Sequence, residues 1–269
     1  MLDLIPAVLD GVILPWACAM CLLLLPRKPW STDSARRVAS WTGGLAVAGA
    51  AVLSMQMVEG VSLWKLSQSW HWLAVSAAVI GIGASFTPRT AACVALAVFV
   101  LALPGLNALG VRALLALVAA VVALILTPAI KRESIQVNFA LSISCFSLAA
   151  LLLAAGSLKL GIVAAAVGAT CASGGALALC SASFATGAPF TLAALTIAMG
   201  IALAGYAYHQ SSALPAAVWA IIWLAPAFLA PEFARRSPLR AFMTLAIILL
   251  VCAAIVAHCV HRLESLESE

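Results

Sequence analysis

Polar side chains are expensive inside a run of apolar residues long enough to cross a bilayer, so each one found there marks a demand of chemistry or packing. Asp10 is the only acidic residue inside such a run. It lies between Pro6 and Pro15, which loosen the helical backbone around it. A carboxylate in that setting can bind a cation or take up and release a proton, which makes Asp10 the expected coupling residue. It also lies only six positions into its run, within reach of the headgroups, where a carboxylate needs no function.

Asn138, Ser142 and Cys145 recur at i, i+4 and i+7 and so share one helix face. Such a face points into a bundle, where it lines a pathway or hydrogen-bonds neighbouring helices. The next apolar run carries Gly161, Gly168, Thr170, Cys171, Ser173, Gly174 and Gly175. Small residues let helix backbones approach closely. The Gly174-Gly175 pair also permits a break that would expose carbonyls and amides to a solute or ion. A second flexible stretch follows from Ser181 to Gly187. The expected substrate-binding residues are therefore Asn138, Ser142, Thr170, Ser173, Gly174 and Gly175, with Asn138, Ser142, Ser173 and Gly174 meeting at a cavity near mid-membrane.

Metal and catalytic chemistry find less support. His71, His209, His258 and His261 all map to one rim, and their spacing matches no haem or zinc pattern. A histidine beside interfacial Trp or Tyr serves as an amphipathic anchor. The eight cysteines scatter through apolar runs, which is not a disulfide framework. Cys18 and Cys21 have CxxC spacing but lie inside the first run and read as small apolar fillers. A serine nucleophile needs a base at its own depth. Ser173 lies past mid-membrane on the side away from the histidines. No catalytic residue, metal or cofactor is expected, and the chain does not read as an enzyme.

The elements that must position these residues follow from where the charges are missing. Apolar residues make up 65% of the 269-residue chain and charged residues 9%, with a mean hydropathy of +1.16. Roughly 20 apolar residues cross a hydrocarbon core. The chain divides into ten spans at about 4–25, 38–57, 70–86, 90–109, 112–130, 134–155, 160–180, 190–208, 214–230 and 241–260. Linkers are short and carry Pro, Gly and charge, as at 26–29, 87–89, 131–133 and 235–238. Short linkers make consecutive helices antiparallel neighbours. The expected fold is an all-α, polytopic membrane bundle of about ten helices forming a single domain over 1–269, divisible into halves 1–130 and 134–263. No room remains for an extramembrane catalytic domain.

Basic residues set the orientation. With the N-terminus outside, ten of the fourteen Lys and Arg residues fall on the cytoplasmic side and four outside. Removing the third span, the weakest, would level the count at seven on each side, so the charges argue for that span. The Ser181–Pro189 link carries no positive charge, so the hairpin of spans seven and eight escapes this test. Trp64, Trp70 and Trp72 cluster at the outer edge, and 58–71 reads as an interfacial helix there. Met1-Leu2-Asp3 lacks the positive start of a cleaved signal. The net charge of +5 sits in loops and implies no nucleic-acid partner.

The expected place is the bacterial cytoplasmic (inner) membrane, with the lipid bilayer as solvent and both termini outside. The expected function is a permease or secondary transporter for a small solute or ion. The alternative is a non-catalytic subunit of a larger membrane complex. Partners are then the small solute and either a second copy or a membrane-complex subunit.

Overall fold

The structure, a computed structural model, describes residues 6, 8–24, 33–59, 71–83, 113, 135–180, 186–209 and 238–267. Among them the chain is all-helical. Three of the helices are long and apolar enough to cross a membrane: Ile135–Ala154, Leu158–Cys180 and Phe242–His261. Spans 90–109, 112–130 and 214–230 lie outside the described residues, apart from Ala113.

A π-helical turn, Leu9–Ile13, is closed by the Leu14 N–H donating to the Leu9 carbonyl. It leads into α1 (Leu14–Leu24). The cause is local: Pro15 has no N–H for the Gly11 carbonyl and its ring crowds it, so the backbone widens just before the proline. Then follow α2 (Asp33–Glu59), α3 (Trp72–Gly83), α4 (Ile135–Ala154), α5 (Leu158–Cys180), α6 (Gly187–His209) and α7 (Pro238–Glu267). In lipid only a helix or a closed barrel satisfies every backbone polar group, and long apolar runs with few strand signals take the first route.

α6 is the centre of the described bundle. Every residue from Pro189 to Gly205 on it is buried, and α2, α3, α4 and α5 all pack on it. On α3 the residues at i and i+4 divide cleanly: Leu73 and Ala77 are buried, while Val75 and Val79 are exposed. Trp72 is exposed at its start, as suits a ring at the headgroup level. α7 stands at the edge and packs chiefly on α4. Its buried residues are Ile248, Cys252 and Cys259, while Leu239, Phe242, Met243, Ile247, Leu249 and Leu250 are exposed.

α4 and α5 form an antiparallel hairpin. Gly156 ends α4 with φ of 80°, where its N–H reaches the Leu153 carbonyl at 3.1 Å and the Ser157 N–H reaches the Leu152 carbonyl at 2.8 Å. This is the left-handed glycine cap that satisfies the last carbonyls and turns the chain back. The hairpin closes along Gly161, Gly168 and Gly175, spaced seven apart on α5. Side chains there would meet Leu153 and the Ala149 carbonyl, then Cys145 and Phe146, then Phe139, all on α4. A seven-residue repeat keeps one face toward a neighbour with a drift of only about 20° per step. Helix α5 runs unbroken through Gly174-Gly175. The break that pair would allow is not made, because both glycines are held against large neighbouring side chains.

Candidate functional site

Two polar clusters stand out, one toward each end of the bundle. The first centres on Thr186, the residue before α6. Its hydroxyl accepts a hydrogen bond from Asn138 Nδ2 at 3.0 Å, with Asn138 Oδ1 at 3.4 Å. Both residues are buried, Asn138 at 3% exposure and Thr186 at 5%. Thr186 is packed from two further sides. A Cβ on Gly174 of α5 would lie 3.0 Å from Thr186 Cγ2 and 3.0 Å from Phe190 Cζ. A Cβ on Gly43 of α2 would lie 2.7 Å from the Thr186 carbonyl oxygen and 3.3 Å from Phe190 Cβ. Next to Gly174, Ser173 Oγ accepts from the Trp16 indole N–H of α1 at 2.5 Å and donates to the Ala169 carbonyl at 3.0 Å. Polar or small residues of α2, α4 and α5 thus converge on the start of α6.

The expected binding residues divide accordingly. Asn138 and Gly174 meet at Thr186, while the Ser173 hydroxyl bonds Trp16 and the Ala169 carbonyl instead. Ser142 is buried one turn farther along α4. Thr170 is buried a turn earlier on α5, with its hydroxyl donating to the Ala166 carbonyl at 2.9 Å. Gly175 faces Phe139 instead of the node. Asn138 is the fourth residue of α4, about 5 Å from that helix's start. The node therefore lies toward one end of α4 and α6, away from mid-helix. Phe190 and Thr186 fill the space beside Gly174. Thr186 falls in the flexible 181–187 stretch expected from the sequence, but nothing local pairs it with Asn138. Its signal was a threonine at the foot of a small-residue helix, indistinguishable by spacing from its neighbours.

Asp10 stands apart. It is exposed within the π-helical turn. The adjacent Gly11 presses on Val58, at the end of α2, and on Ile162, at the start of α5. From Ile162 to Ser173 is about 16 Å along α5.

At that same end lies the second cluster, built of Glu59, His71 and Lys159. Glu59 closes α2 and His71 immediately precedes α3. Lys159 is the second residue of α5. Glu59 Oε2 lies 2.5 Å from His71 Nε2, and both side chains are only 4% exposed. Lys159 Nζ donates to Glu59 Oε1 at 3.2 Å, with its own side chain 55% exposed. A carboxylate at a helix C-terminus faces the negative end of the helix dipole. A buried carboxylate also loses its hydration. The two basic partners offset both costs, one on each oxygen. The sequence reading set His71 as an interfacial anchor and passed over Glu59. Nothing local links them to a lysine 100 positions from Glu59. Two buried atoms have no hydrogen-bond partner among the described residues, Ser54 Oγ on α2 and Gln136 Oε1 on α4.

Fold and helix composition together define the class: among the described residues the chain is helical, with three helices long and apolar enough to cross a membrane. Beyond that the chain stands by its own chemistry: it matches no protein-family model, no curated protein and no solved structure.

Proposed function

We propose that this chain is a multi-pass permease, a secondary transporter for a small solute or ion. In this reading ten crossings span a bacterial inner membrane with both termini outside. The observation that carries it is the node at Thr186, where buried Asn138 of α4 bonds the residue before the central helix, beside Gly174 of α5. A neutral, hydrogen-bonding site between helices suits a small polar solute. Asn138 and Thr186 supply the donors and acceptors. Phe190 closes the space beside Gly174, and its movement admits the solute. Coupling falls to a titratable group at the opposite end, where the sequence alone points to Asp10.

The test begins with the full chain purified in mild detergent and mass spectrometry of the small molecules that come with it. Uptake of the identified solute into proteoliposomes is then compared with Gly174→Leu, whose side chain must displace Phe190. Uptake should fall to background while the variant still inserts. Uptake that survives rejects this site.

The second reading, a non-catalytic subunit of a membrane complex, is favoured by α7, whose exposed large apolar residues run from Leu239 to Leu250. Stable companion proteins at fixed stoichiometry after gentle extraction support it over the permease.

A further inference from the structure

We propose that Glu59 and His71 together bind one exchangeable proton, and that Lys159 marks the aqueous side from which it arrives. The inference rests on the permease reading for its role as the driving ion, but not for the binding itself. The geometry carries it. The carboxylate and imidazole are withdrawn from the surface at 4% exposure each, yet Lys159, bonded to the same carboxylate, has a side chain 55% exposed. The cluster therefore has one open side and one closed side, and a charged ammonium on the open side favours water there. Ionisable groups withdrawn into a membrane bundle typically mark proton or ion pathways. An apolar trio would tie the ends of α2, α3 and α5 as well and would carry no desolvation cost.

The charge count identifies the ligand. If His71 is neutral, the Glu59 carboxylate and the Lys159 ammonium balance within these three side chains. One added proton leaves it with a single net positive charge, shared by two cations about one carboxylate. In the step, an O–H bond of hydronium breaks, an N–H or O–H bond forms on the pair, and water leaves. No other reactant is needed. From the elements packed around the pair, α5 presents Lys159. The π-helical turn before α1 presents Asp10, which is exposed. Besides Glu59, α2 carries Asp33, Arg36 and Arg37 only in its first two turns, about 33 Å or more along the helix; the described stretch of α3 and the 151–157 turn add no titratable group, and Lys65, between Glu59 and His71, lies outside the described residues. The side chain of His209, at the end of α6, lies outside the described residues. Because proton binding changes the charge that holds three helix ends together, the site is placed to link protonation to helix position.

The test uses the full chain in detergent with a pH-indicator dye and a pH jump across neutrality, where a free glutamate takes up nothing. The unaltered chain should take up about one proton per chain more than Glu59→Gln, and the Glu59→Gln/His71→Gln double variant should lose no more than that one, as a shared proton requires. Lys159→Met keeps the pair and should keep the count, which leaves a reading if the first variants fail to fold. Uptake by Glu59→Gln equal to that of the unaltered chain overturns the proposal, as does loss of the proton in Lys159→Met. Proteoliposomes then separate the two readings. Proton binding that depends on Glu59, without any potential-driven proton flux, upholds the site and removes the permease.

Discussion

One substitution placed twice on α2 should move stability in opposite directions. Gly43→Ala and Gly49→Ala change the same helix by the same methyl group, and each gains about 1 kcal/mol in helix propensity. At Gly49 the new Cβ would find only Leu22 Cδ1, at 3.8 Å, an ordinary contact. Gly49→Ala should therefore stabilise by about 1 kcal/mol. At Gly43 the Cβ would stand 2.7 Å from the Thr186 carbonyl oxygen, which is backbone and cannot rotate away. The start of α6 must shift by about half an ångström, and overpacking of this kind costs about 1–3 kcal/mol. The net result for Gly43→Ala is a loss near 1 kcal/mol, and the two variants should differ by about 2 kcal/mol, roughly 30-fold in the folding equilibrium. Reversible unfolding of the full chain in mixed micelles, titrated with a denaturing detergent, reads the difference directly. If Gly43→Ala proves as stable as Gly49→Ala, the convergence of α2 on the foot of α6 is not there, and the node built on it goes too.

Two further outcomes test the packing around this node and along α2. In a double-mutant cycle of Asn138→Ala and Thr186→Val, the same unfolding assay should give a coupling of about 0.6–1 kcal/mol, the range of hydrogen bonds between membrane helices, and strict additivity would remove the bond. Ser54→Ala deletes a buried hydroxyl that has no partner among the described residues. It should raise stability by about 1 kcal/mol; a loss would show that the hydroxyl is bonded.

Much of the local architecture was legible from composition. The expected spans at 134–155 and 160–180 fall on α4 and α5 within a few residues, because hydropathy and the Gly156 stop are both local signals. The glycines of α5 read correctly as a close-approach surface. Their partners did not. Gly174 and Gly175 are adjacent in sequence and point about 100° apart around the helix, one toward Phe190 and Thr186 on the α6 side, the other toward Phe139 on α4. A pair that could break a helix instead seats it against two neighbours.

The sequence by itself determined that this chain is helical and apolar enough for lipid, since a run of apolar residues in that solvent must bond its own backbone. The tertiary structure alone decided that Thr186 gathers Asn138, Gly174 and Gly43, and that Glu59 is buried between His71 and Lys159. The reason is that hydropathy orients a helix only where one face is wet. Inside a membrane bundle every face is apolar, so helix rotation is set by which glycine admits which side chain, and by which charge finds a partner far along the chain.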